Sequence, residues 1–316
     1  MSEKNIFLFI ILVLFSWGCR MFKPVEFKTA DGIALEKLDC NFYCNKEKNE
    51  IFLSGKYGTF IMKPDCRTAE FNKRKIWLFS PVRYDKDGIL RIEESNIEKI
   101  ITPLLKRNYT IPDNAARIII DPGHGMDDNG AVGAFSKEKD LNLALSMKIR
   151  EALEKKGFEV VMTRRDDSFL TLDARSDFAQ KQQAGIFLSI HHNASENKKA
   201  NGIETYSLPP GGIAATHNTI KKIPDALPGN RFDNENINLN HLIHSHLIKQ
   251  LGSFDRGSKF ARYKVLVNAP CPAVLIEAGF ISSQQEEIEI NTEERQKKCA
   301  AAIAEALCEW LKKTDD

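Results

Sequence analysis

Long apolar runs, a surplus of one charge and cysteine are all scarce in this chain of 316 residues. The apolar run Ile6 to Phe15 stops well short of the roughly 20 residues that a membrane-spanning helix needs. Lys4 and the amino terminus precede it, and Ser16, Trp17, Gly18 and Cys19 follow. That is the grammar of a signal peptide, with an uncleaved anchor as the alternative. Lysine and arginine number 45 against 43 aspartates and glutamates, a formal net charge of +2. Nothing in that balance argues for nucleic acid or an acidic membrane surface, so partners must be read from the site. Cysteines number seven. With Cys19 set aside, Cys40, Cys44, Cys66, Cys271, Cys299 and Cys308 remain, an even set that permits disulfides in an exported chain without specifying any. Cys40 and Cys44 have no second pair at zinc-finger spacing, so they read as structural.

What is present changes rhythm part-way along. From Val25 to Lys106 short alternating segments such as EIFLSG, GTFIMKPDC and KIWLFSPVRYDKDGIL are broken by turns. These predict a small mostly-β domain over 25–107, closed by the helical IEKIITPLLK, with no catalytic cluster. Asn108 to Ala116, polar with a proline, reads as the linker. Beyond it, strand and helix alternate over 117–312. Strands are expected at Ile118–Ile120, Phe158–Thr163, Ile186–His191, Ile203–Leu208 and Val274–Glu277. Helices are expected from the Leu141, Leu145, Ile149, Leu153 stripe to Gly157, at Leu172–Gln183, at about Asn238–Leu251 and at about Glu293–Leu311. Such alternation predicts an α/β domain whose mostly parallel sheet is flanked by helices.

In such sheets polar groups at the carboxyl ends of strands converge on one edge. RIIIDPGHG breaks an isoleucine run to place His124 there; IFLSIHHN does the same for His191, and AVLIE for Glu277. Glu138 opens the first long helix, beyond the loop that leaves His124. Two imidazoles and a carboxylate brought together there would form a zinc site with one open position, and a second carboxylate could take a proton from water. Adjacent residues of a strand face opposite sides, so only one of His191 and His192 belongs to such a cluster. A carboxylate inside an apolar run, as at Glu277, is costly without a partner or a role. His241, His244 and His246 share a helix, but the third lies about 140° from the first, which disfavours a second metal site. The Pro-, Gly- and Asn-rich segment Pro209 to Asn236 is a candidate wall or lid of the substrate groove.

DPGHG, EKDLNL, SIHHNA, GIETYSL, DRGSK and PAVLIEAGFIS occur in this order between Arg117 and Leu311. Together they resemble the zinc-dependent N-acetylmuramoyl-L-alanine amidases, a family of bacterial cell-wall hydrolases; several motifs in order are far more specific than one. The resemblance implies that His124, Glu138 and His191 bind Zn2+ and that Glu277 is catalytic. His192 stands where the family often has alanine and becomes a bystander, while Ser283 replaces a common asparagine. Hydrolysis of the amide joining the lactyl group of N-acetylmuramic acid to L-alanine in peptidoglycan is implied, with no organic cofactor. Gly18-Cys19 resembles a bacterial lipoprotein cleavage site, with Ser16 and Trp17 departing from the usual residues. The expected place is therefore the cell envelope, periplasmic or extracytoplasmic, with lipid on Cys19. Expected partners are peptidoglycan and an activator protein, and a membrane only through leader or lipid. TAEFNKRKIWLFSPV, its following D-G turn and the helix ending PLL are similar to the N-terminal domain of copper amine oxidases. The rival readings are a zinc carboxypeptidase or endopeptidase acting on cell-wall peptides, and an inactive wall-binding lipoprotein.

Overall fold

Ile118 and Ile120 point into one apolar core and Ile119 into another, so the unbroken isoleucine run marks a strand covered on both faces. It belongs to the sheet of a computed structural model that describes residues 27–29, 40–217 and 223–312. The leader and Cys19 lie outside these residues. The strands of this sheet are β1 (Asn41–Asn45), β2 (Glu50–Gly55), β3 (Gly58–Met62), β4 (Thr68–Phe71), β5 (Arg74–Trp77), β6 (Arg117–Pro122), β7 (Glu159–Met162), β8 (Ile186–Asn193), β9 (Ile203–Ser207), β10 (Asp255–Phe260) and β11 (Ala273–Phe280), while Phe27–Thr29, Leu90–Ile92 and Arg83–Tyr84 pair in a separate small sheet. All eleven join in the order β7-β6-β8-β11-β9-β10-β5-β4-β3-β2-β1. Helices α1 (Glu138–Glu154), α3 (Asp233–Leu251) and α6 (Glu293–Leu311) pack on one face of the carboxy-terminal part of the sheet, α2 (Leu172–Lys181) and α4 (Lys264–Val267) on the other, and α5 (Gln284–Ile290) follows β11. The sheet is mostly parallel from β7 to β11, as its alternation of strand and helix predicts.

The amino-terminal strands form the antiparallel meander that their turns predict, but they do not stand apart. Ile76 of β5 pairs with Ser258 of β10, so the meander prolongs the sheet of the strands that follow it. The join is reinforced where the Lys75 backbone N–H donates to Asp255 at 2.9 Å and Trp77 Nε1 to the Arg256 carbonyl at 3.1 Å. Ile237 and Phe260 complete a core otherwise built from this meander and from residues 78–105 that follow it, and Cys40 and Cys44 pack at its margin.

Two features differ from the expectation. Strand β10 has no apolar alternation because its charges are paired within the fold: Asp255 with His244 at 2.8 Å and Lys259 with Glu204 at 2.9 Å. Strand β9 runs antiparallel to β11, with Glu204 opposite Glu277. The segment beginning at Pro209 therefore leaves the sheet at the edge away from Glu277. Among the described residues it is tied to β10 and the meander, through Thr216 to Phe260 and Arg67, and through His217 against Trp77. Residues 218–222 of the segment expected to wall or cover the groove lie outside the described residues.

The three helix histidines have separate structural partners. His244 meets Asp255, His246 meets Glu309 at 2.9 Å, and His241 lies against the Phe71 ring. Burial, reinforced by His244, pushes the His241 pKa down to about 3. Between that value and about 6.5 the unfolded chain binds a proton that the folded chain refuses, so stability is full above about 6.5 and falls as pH drops. His241→Leu should flatten the acid side of the stability curve by about 2 kcal/mol between pH 7 and pH 5. Urea unfolding at both pH values measures it, and parallel losses in the two proteins would contradict it.

Candidate metal centre

The turn that ends β6 is shaped by close approach. A Cβ on Gly123 would lie 2.2 Å from the His191 ring, and one on Gly125 would lie 2.1 Å from the Ser168 carbonyl oxygen. His124 between them takes a left-handed backbone, φ 65°, unusual for a residue with a side chain. Two buried guanidinium groups hold it there. Arg175 donates to the carbonyls of Pro122 at 2.7 Å and His124 at 2.9 Å, and Arg164 to those of Pro122 and Gly123 at 2.9 and 2.8 Å. Arg175 is itself anchored on buried Asp121 at 2.8 Å.

His124, Glu138 and His191 are brought together so that one ligand atom from each lies within 4.8 Å of the others. Among the described residues no other histidine, cysteine and carboxylate group of this kind occurs. Glu138 Oε1 lies 2.9 Å from His191 Nδ1 and 3.2 Å from His124 Nε2, while its Oε2 accepts the Ala131 backbone N–H at 2.8 Å. Burial alone would raise the Glu138 carboxyl, but the two histidines outweigh it and hold the group well below the usual range. Asp128, one helical-turn spacing beyond His124, takes the other ring nitrogen at 2.8 Å, which orients the imidazole and leaves Nε2 facing the cluster. Two oriented imidazoles, one carboxylate oxygen and a supporting carboxylate are a donor set that suits zinc.

Parallel pairing puts His191 of β8 directly beside Glu277 of β11, so both side chains stand on the same face. His192 faces the other way, buried, with its Nδ1 2.8 Å from Asn142 of α1. Glu277 is 8% exposed, and its Oε2 has no hydrogen-bond partner among the described residues. Burial, then the nearby Glu138 and Glu204, push its carboxyl well above the ordinary range. Reading the sequence missed Glu204, which stands opposite Glu277 and accepts from Lys259, Arg256 and Tyr206. Its signal was a charged residue inside the otherwise buried GIETYS strand. The clamp formed by Arg164 and Arg175 was missed too, because residues so far from DPGHG in sequence carry no local sign of the contact.

The family model for N-acetylmuramoyl-L-alanine amidase matches residues 118–309. The chain belongs to this amidase family. It is 31% identical over 272 residues to N-acetylmuramoyl-L-alanine amidase AmiC of Escherichia coli O6:H1, covering 74% of this chain and 64% of that one. With LytC of Bacillus subtilis it shares 32% identity over 59% of this chain but only 34% of LytC. Among solved structures, an N-acetylmuramoyl-L-alanine amidase from Clostridium difficile 630 matches with TM-score 0.54 and 30% identity, over 64% of this chain and all of that one. The CwlV catalytic domain from Bacillus (Paenibacillus) polymyxa matches with TM-score 0.51 and 33% identity, over 62% and 97%. The amidase fold thus has solved counterparts, and its His, Glu, His cluster lies wholly within the matched span.

Proposed function

We propose that this amidase hydrolyses the amide between N-acetylmuramic acid and L-alanine in peptidoglycan, with zinc on His124, Glu138 and His191 and with Glu277 as proton carrier. The observation that carries the roles is the unpartnered Oε2 of buried Glu277, one strand over from His191. Zinc bound there would polarise the scissile carbonyl and make water acidic enough to attack near neutral pH. Glu277 takes the proton that the attacking water loses, and it is dry enough to hold that proton. It then returns the proton to the alanine nitrogen as the carbon–nitrogen bond breaks, leaving a lactyl carboxylic acid and a free amine. Glu204, held by Lys259, Arg256 and Tyr206, keeps its own carboxylate turned to those donors and so leaves Glu277 alone at the site.

Mass spectrometry of purified peptidoglycan after digestion, with and without chelator, tests the reading. The new amine should belong to L-alanine, and chelation should abolish its appearance. An amine released elsewhere in the peptide would identify a carboxypeptidase or endopeptidase instead.

Among the described residues no helix is long and apolar enough to cross a membrane. Export to the cell envelope fits a wall substrate, and lipid on Cys19 is part of the proposal, supported by the leader and Gly18-Cys19. The mass of the mature amino terminus decides it. An activator partner is proposed as well; the CwlD amidase of Clostridioides difficile, 29% identical over 62% of this chain with TM-score 0.52, was solved in complex with the GerS lipoprotein. The division into a leader, 1–19, a β unit, 25–107, and a catalytic unit, 117–312, is likewise proposed, on the change of rhythm after Ala116.

A further inference from the structure

Glu287 is a fully buried carboxylate that takes no part in the proposed chemistry and forms no ion pair among the described residues. A charge so placed is costly unless several donors face it. Four do. The backbone N–H groups of Ala134, Phe135 and Ser136 each donate to it at 2.8 Å, and the Ser136 hydroxyl donates at 2.7 Å. Consecutive N–H groups turned to one anion form a concave nest, and here the anion is the protein's own. A Cβ on Gly133 would lie 2.2 Å from Oε1, so the clasp also requires glycine at that position.

The clasped segment is the connection from His124 to Glu138. Gly133 closes its turn on the Ser136 carbonyl at 2.9 Å, and the Glu138 backbone N–H donates to the Ala131 carbonyl at 2.9 Å. The Ala131 N–H in turn holds Glu138 Oε2. We infer that Glu287 is a positioning residue: by fixing residues 133–136 it sets where Glu138 presents Oε1 to His124 and His191. Because α5 follows β11 directly, the same stretch of chain registers Glu138 against Glu277. The inference rests on the proposed ligand role of Glu138.

Glu287→Ala leaves three N–H groups and a hydroxyl without their acceptor, and outer partners of metal ligands are typically worth about 10- to 100-fold in affinity. Glu287→Gln should fall between, since an oxygen at the Oε1 position keeps three donors while the new amide nitrogen confronts the Ala134 N–H. The test measures zinc dissociation constants of the full mature chain by chelator competition, together with the thermal midpoint of the metal-free protein. Leu307→Ala, a core truncation in α6, serves as the control for lost stability alone. Expected are a zinc constant raised about 10- to 100-fold in Glu287→Ala, a smaller rise in Glu287→Gln, and none in Leu307→Ala. Zinc affinity in the Glu287 variants equal to that of the parent or of Leu307→Ala overturns the inference while sparing the metal site. A parent chain that binds no zinc overturns both. If Glu287→Ala does not fold, Glu287→Gln and Ser136→Ala decide, and unchanged constants in both overturn the positioning role.

Discussion

Glu277→Gln should bind zinc and fold like the parent yet lose at least about 10²- to 10⁴-fold in turnover on peptidoglycan, the usual worth of a positioned proton carrier. The amide of glutamine keeps the shape of the side chain and fills the same buried slot between His191 and Glu204. It cannot accept the proton that attacking water must lose. Substrate affinity should change far less, because the missing interaction is made mainly in the transition state. Burial of a neutral amide is also cheaper than burial of a carboxylate, so the variant should be at least as stable as the parent. Release of L-alanine amines from purified wall, read beside zinc content and thermal midpoint, separates the outcomes. A variant with full zinc and near-parental turnover would reduce Glu277 to a buried structural acid.

His191→Ala and His192→Ala should part company by a wide margin although the residues are neighbours. Loss of one protein ligand from a three-ligand site should raise the zinc dissociation constant about 10²- to 10⁴-fold, roughly a third of a zinc binding energy of about 10–16 kcal/mol. His192 touches none of the cluster through its ring; its loss removes the bond to Asn142 and leaves a void, a stability cost of about 1–3 kcal/mol with zinc retained. Metal analysis after gel filtration reads the first effect and denaturant unfolding the second. Zinc lost from the His192 variant and kept in the other would reverse the ligand assignment.

Much of the fold was legible because its signals are local. The Leu141, Leu145, Ile149, Leu153 stripe needs only its own spacing to declare a helix, and the isoleucines of β6 need only their neighbours to declare a strand covered on both faces. The motifs are legible by composition and order, but the need for glycine in DPGHG is tertiary: Gly123 lies against the His191 ring and Gly125 against the Ser168 carbonyl, both far along the chain. Composition alone determined that partners must be sought at a site and not in a field of charge.

Tertiary structure decided what depends on pairing between distant segments. Residue parity leaves His191 and His192 equivalent until β8 is set in register with β11, which turns one toward Glu277 and the other toward Asn142. The direction of β9, the strand nature of polar β10 and the union of the meander with the catalytic sheet all follow from which edges and faces find partners. So do the grips of Arg175 on His124 and of Glu287 on residues 134–136, made across dozens of residues or more. A chain written in order shows which groups exist and how each segment prefers to fold; burial of both sheet faces selects which of those groups meet, because only one arrangement satisfies the apolar cores and the buried charges together.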